Sequence, residues 1–158
     1  MFEVLAFVYD NYTDRHTCPE LPALHRTLNT LGFAPYQVEL ALLWLEDLKA
    51  AAAHWPTLTH GCKPLEPGAA AMRVLTPAEQ AKLGTNGWGL LVFLTSAGAL
   101  TSEELELVLE RALAAPGGPL SLDDLKLLVL MVFWGLARVS NALVLNELCD
   151  NPTNGWAH

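Results

Sequence analysis

Apolar residues recur at helical spacing in segment after segment of this chain, and Pro, Gly and short polar runs break the pattern between segments. Phe2, Leu5, Val8, Tyr9 and Tyr12 mark a first amphipathic helix over residues 2–12, with a polar loop from Asn11 to Pro19 after it. Leu21, Leu24, Leu28 and Leu31 mark a second helix, starting about Glu20 and stopping at Gly32, a residue free to take the left-handed geometry that ends helices. Phe33 is expected to pack back on it. A third helix, Pro35 to Lys49, opens with Pro in its first turn and carries a stripe of Val38, Ala41, Leu42, Leu45 and Leu48. Leu40, Leu43 and Trp44 fall outside that stripe. One apolar face is enough for a three-helix module, so this second face must meet the C-terminal half of the chain or a partner.

Residues 50–71 interrupt the periodicity with an Ala run, His54-Trp55-Pro56, Gly61, Pro64, Pro67, Gly68 and further Ala, the composition of a linker. Met72 to Leu75 is short and extended in character. Thr76-Pro77-Ala78-Glu79 is a capping box that starts a short helix ending near Gly84. The apolar run from Trp88 to Ala97 closes at Gly98, and Thr101-Ser102-Glu103-Glu104 caps a further helix through Leu105, Val108, Leu109 and Ala112 to about Ala114. After the Pro116–Pro119 turn comes the stretch on which the C-terminal half is built, Leu125 to Leu136, entered through Ser121, Asp123 and Asp124. It is apolar on every face, as befits a helix surrounded by other helices. It is too short to cross a membrane, because reaching the required ~20 apolar residues takes in Asp123, Asp124, Lys126 and Arg138. Gly135 is expected to loosen or end its last turn. Asn141 to Leu148 reads as a short final helix and Asn151 to Gly155 as the end of order.

The predicted fold is therefore all-α. An N-terminal three-helix module over 1–49, UBA-like or helix-turn-helix-like, is joined by the Pro/Ala/Gly linker 50–71 to a helical bundle over 72–150, with a tail at 151–158.

Composition and charge narrow the chemistry. The chain is 52% hydrophobic and 16% charged, too apolar for disorder, and its net charge is −8. Acids outnumber bases 7 to 3 over residues 1–49 and 9 to 5 over 72–150. Neither half suits a module that gains affinity by neutralising phosphates or an anionic membrane. The N-terminus has no Lys or Arg ahead of its short apolar run, a poor signal peptide that points to the cytosol. The three cysteines, Cys18, Cys62 and Cys149, are expected to be free thiols.

Motifs for chemistry are sparse. His16 with Cys18 and His60 with Cys62 repeat a His-x-Cys pattern that could offer zinc four ligands, but the spacing is unlike a zinc knuckle. No cofactor is expected. Asp123 with Asp124 and Glu103 with Glu104 are adjacent on helices, point about 100° apart and are explained by first-turn capping. No phosphate loop, nucleophile elbow or metalloprotease helix is present. The second and third helices could be a helix-turn-helix, yet the third offers Tyr36, Gln37, Glu39, Glu46, Asp47 and Lys49, a more acidic than basic face.

Met1-Phe2-Glu3-Val4-Leu5 with Asn11-Tyr12, Ala41-Leu42-Leu43-Trp44-Leu45-Glu46 with Leu48, Met72-Arg73-Val74 with Thr76-Pro77 and Glu79, Leu122-Asp123-Asp124-Leu125-Lys126 with Val129 to Phe133, and the ending Gly155-Trp156-Ala157-His158 together resemble the bacterial Smg family. The resemblance runs in order over nearly the whole chain. It implies a small cytosolic protein of a family without an assigned activity, whose genes lie near DNA-processing, topoisomerase and translation-start genes. This sequence departs from the family pattern at Leu90, at Leu127 and in the Pro116–Pro119 turn, and the His-x-Cys pairs are no part of that pattern.

The expectation is a cytosolic, non-enzymatic protein that binds another protein through Leu40, Leu43 and Trp44 on the third helix and Trp134 on the central one. The alternative is a nucleic-acid accessory protein using Arg15, Arg26 and Arg73. Homo-oligomerisation through the same apolar faces is left open.

Overall fold

The computed structural model describes residues 1–12, 16–55 and 73–137, with six helices joined by turns and loops and no strand among them. The helices are α1 (Phe2–Asn11), α2 (Leu21–Thr30), α3 (Pro35–Ala53), α4 (Pro77–Ser96), α5 (Ser102–Ala114) and α6 (Leu122–Gly135). The final helix expected at 141–148 lies outside the described residues, as does most of the 50–71 linker.

Local sequence sets most of the boundaries. Thr76 accepts from the Glu79 amide at 3.3 Å while Glu79 accepts from the Thr76 amide at 2.8 Å, and Thr101 with Glu104 repeats the arrangement at 3.2 and 2.8 Å. Ser121 Oγ accepts from the Asp124 amide at 3.1 Å. Two helices end in Schellman turns on glycine. Gly32 (φ 88°) lets the Phe33 amide donate to the Leu28 carbonyl, and Gly98 (φ 71°) lets the Ala99 amide donate to that of Leu94. Phe33, turned back by this geometry, meets Phe7 of α1 edge to face at 5.6 Å.

One boundary differs from the periodicity. The third helix runs past Lys49 to Ala53, because four consecutive alanines are the best helix formers available and continue it without a side-chain penalty. Within α4 the first limb ends at Gly84 (φ 65°, ψ 179°), as the sequence predicts, and a second limb runs on from the kink to Ser96, so α4 comprises two helices meeting at that glycine. A tertiary tie holds the first limb in line. The buried Lys82 ammonium donates to the Ala115 carbonyl at 2.6 Å and to that of Gly117 at 2.9 Å, and the Leu120 amide donates to the Lys82 carbonyl at 2.7 Å.

Helix α6 is the post. Leu125 and every residue from Leu128 to Gly135 are buried, and the helix packs against α1, α3, α4 and α5. Among the described residues one apolar cluster runs from Val4, Leu5 and Val8 of α1 through Leu24 and Leu28 of α2 and the inner face of α3 to α4, α5 and α6. The two halves thus share a core. Gly135 belongs to this packing: it stays helical, and a Cβ there would lie 2.9 Å from Leu48 Cγ and Cδ2. It is also the last residue of α6, and there it allows the close approach of α6 to α3.

Candidate interaction surface

The four apolar residues expected to meet a partner separate into two groups. Trp44 is only 3% exposed, and its indole N–H donates to the Arg111 carbonyl at 3.0 Å. Trp134 is 5% exposed, and its indole N–H donates to the Tyr12 carbonyl at 2.8 Å. Both acceptors stand at helix C-termini, α5 and α1, where the last carbonyls have no partner within their own helix. Each tryptophan therefore fills the core and caps the end of another helix, so neither is offered to a partner in this fold. Leu40 is half-buried against the core. Leu43 alone projects, 58% exposed.

The buried face of the third helix is turned from its predicted stripe toward Trp44, and the helix touches α1, α2, α5 and α6. Trp44 joins Val38, Ala41, Leu45 and Leu48 inside, while Leu42 is only partly buried. Leu42 and Leu43 instead line an open groove of about 330 Å³ between α2 and α3, together with Leu21, Pro22, His25, Glu39 and Glu46. Glu39 and Glu46 lie two turns apart on α3, roughly 10 Å along its axis, and neither Lys nor Arg is in the lining. Leu31, grouped by spacing with Leu21, Leu24 and Leu28, is exposed at the C-terminal end of α2, and Tyr36 is exposed at the start of α3.

Two of the three arginines of the nucleic-acid alternative are among the described residues. Arg15 lies outside the described residues. Arg26 is on α2, with Nε donating to the Pro22 carbonyl at 3.3 Å. Arg73 is committed to two carboxylates. It donates from Nη1 and Nη2 to Glu79 at 3.1 and 2.9 Å, and from Nη2 to Glu106 at 2.8 Å with a further bond from Nε to the same carboxylate. A phosphate approaching Arg73 would have to displace acids already in place, which removes the reason for choosing it.

This network has a pH signature. The Arg73 guanidinium, helped by the Thr76 bonds, holds the Glu79 carboxyl at about 2 against its ordinary 4.5, overcoming the burial that acts the other way. Arg73 is itself pushed further up by Glu106 and Glu79 and stays charged. A depressed carboxyl contributes its full stabilisation above about pH 4.5 and loses it as pH falls toward 2. Glu79→Gln is thus expected to lower the urea midpoint at neutral pH, with the gap to the parent closing across that window. A gap independent of pH would show that the pairing does not stabilise the fold.

A buried arginine went unnoticed in the sequence. Arg111, in the last turn of α5, is 8% exposed at its side chain; Nη2 donates to Glu110 Oε1 at 2.9 Å and Nη1 stands 3.6 Å from Asp47 Oδ2. Among the described residues its Nε and Nη1 have no hydrogen-bond partner. A basic residue near a helix C-terminus was readable from the sequence, but its burial under α3 was not. Of the four His-x-Cys residues, His16 is exposed, Cys18 is half-buried with its thiol pushed up by desolvation and partly drawn back by Lys49, and His60 and Cys62 lie outside the described residues. Among the described residues no three His, Cys, Asp or Glu side chains converge on a metal position, and no helix is long and apolar enough to cross a membrane.

Comparison with known proteins adds the following. A family model described as "Protein of unknown function (DUF494)" matches residues 1–158. The chain is similar to the "Protein Smg homolog" of Methylibium petroleiphilum, at 43% identity over 100% of both chains. It is similar to that of Leptothrix cholodnii at 39% identity and to that of Bordetella pertussis at 36%, again over 100% of both chains. No solved structure matches it.

Proposed function

This chain belongs to the Smg family, DUF494, and on that premise we propose that it is a non-enzymatic adaptor whose docking surface is the groove between α2 and α3. The observation that carries this reading is Leu43: a large apolar side chain, 58% exposed, in the wall of a groove that Leu21, Pro22 and Leu42 make apolar. Exposed apolar surface gathered in a concavity is costly to leave in water and is the usual seat of a helix from another protein. Glu39 and Glu46, with no cation beside them in the lining, suit a partner helix whose apolar face is flanked by Lys or Arg.

The experiment compares tagged parent and Leu43→Glu in native extract, each with and without nuclease. The expected result is a stoichiometric protein partner that survives nuclease with the parent and is lost with Leu43→Glu. Because Leu43 projects, the variant should keep its far-UV CD and lie within about 0.5 kcal/mol of parental stability. A partner retained by Leu43→Glu removes the groove from the reading. Recovery of nucleic acid, with binding that falls steeply as salt is added, favours the nucleic-acid alternative.

A further inference from the structure

The outer face of α3 repeats itself every two turns. Tyr36 and Leu43, 70% and 58% exposed, stand seven residues apart, and beside them the exposed Glu39 and Glu46 stand seven residues apart. Seven residues of α-helix advance the chain by about 10 Å and return a side chain to within about 20° of its starting direction. Leu43 and both glutamates line the α2–α3 groove, and Tyr36 lies one repeat closer to the N-terminus of α3. Neither carboxylate has an ion pair or hydrogen bond among the described residues. By contrast Asp47, on the same helix, faces Arg111, and Glu79 and Glu106 hold Arg73. The α2 wall adds Leu21, Pro22 and His25, the last with a ring nitrogen 3.3 Å from the Asn29 side-chain amide.

We propose that the groove's occupant is a basic amphipathic helix lying along α3, with apolar side chains seven positions apart on Tyr36 and Leu43 and Lys or Arg seven positions apart on Glu39 and Glu46. This inference rests on the adaptor reading above and adds to it a second anchor, Tyr36, and the sequence pattern of the partner. Spacing selects a helix. An extended strand covers about 10 Å in three residues, and side chains three apart on a strand point to opposite faces. A strand therefore cannot set one apolar residue on Tyr36 and its like on Leu43, whereas a helix does so with every seventh residue. Charge selects a basic helix. Two unpaired carboxylates repel an acidic helix and are each neutralised by one Lys or Arg. Tyrosine suits the second anchor, because its ring gives a large contact area and the residue type is enriched where interfaces hold most strongly.

Fluorescence anisotropy of the full chain with three synthetic helical peptides of equal length tests it. The first peptide carries leucines seven apart and lysines seven apart on one face, the second has those lysines replaced by glutamates, and the third has them moved to the opposite face. The parent is expected to bind the first roughly tenfold or more tightly than either of the others, with affinity falling as salt is added. Glu39→Lys with Glu46→Lys should reverse the order, so that the glutamate peptide binds better than the lysine one. Tyr36→Ser should weaken the first peptide by roughly tenfold with far-UV CD unchanged. Should the charge-reversed chain lose helical content, Glu39→Gln with Glu46→Gln takes its place and is expected to abolish the preference. Equal affinity for the lysine and glutamate peptides overturns the inference, as does a charge-reversed chain that keeps the parent's order or undiminished binding by Tyr36→Ser. So does a first peptide that stays unbound to roughly millimolar concentration. The adaptor reading fails on a different result, a partner from extract that Leu43→Glu retains.

Discussion

Trp44→Ala is expected to destabilise the chain by about 3–5 kcal/mol, the range for deleting a large buried aromatic, and to lower Tm by roughly 10 °C. The indole is 3% exposed and reaches from α3 to the C-terminus of α5, where its N–H satisfies the Arg111 carbonyl at 3.0 Å. The neighbouring carbonyl of Ala112 already accepts from the Ala115 amide. Truncation would open a cavity at the joint between α3 and α5 and strip a helix end of its acceptor's partner. Trp44→Phe divides the two effects, since it keeps most of the packing and leaves the carbonyl unsatisfied at a cost of about 1–3 kcal/mol. Urea unfolding followed by far-UV CD measures both. A Trp44→Ala protein with parental stability that fails to bind a partner would return Trp44 to the list of contact residues.

Gly135→Ala should destabilise by about 1–3 kcal/mol through overpacking. Helix propensity has the opposite sign, with alanine better than glycine by about 1 kcal/mol, so the direction of the effect is diagnostic. The new methyl would lie 2.9 Å from Leu48 Cγ and Cδ2 and 3.2 Å from Cδ1, and a fully buried leucine has little room to turn away. Leu48→Ala alone should cost about 2–5 kcal/mol. The double variant should be less destabilised than the sum of the two by about 1 kcal/mol, because each truncation or insertion relieves the other. A stabilising Gly135→Ala, or strict additivity, would mean that α6 and α3 are not in contact at this point.

The Leu43→Glu comparison asks about a surface and is expected to leave the fold unchanged. The tryptophan and glycine variants ask about the core. Together they separate what holds the six helices together from what they offer outward.

What was legible in the sequence is what depends on neighbours in the chain. The capping boxes at Thr76 and Thr101, the Ser121 cap and the glycine turns at Gly32 and Gly98 use residues within a few positions of one another. Their chemistry is complete before any helix meets another. The same holds for the central post, because a run apolar on all sides can only be stable when surrounded. Family membership was legible too, in short stretches running in order along the chain.

Which apolar residues face inward depends on how many helices surround each one, and only the tertiary structure decided that. Periodicity assigned α3 one buried stripe. Contact with α5 and α6 as well as α1 and α2 drew Trp44 inside and left Leu42 and Leu43 lining a groove. Trp134, Gly135, Lys82 and Arg111 are likewise explained by partners 33 or more positions away, carbonyls and side chains that no local pattern can point to. Spacing within a helix determines which residues share a face, whereas the packing of one helix against others determines which faces water still reaches.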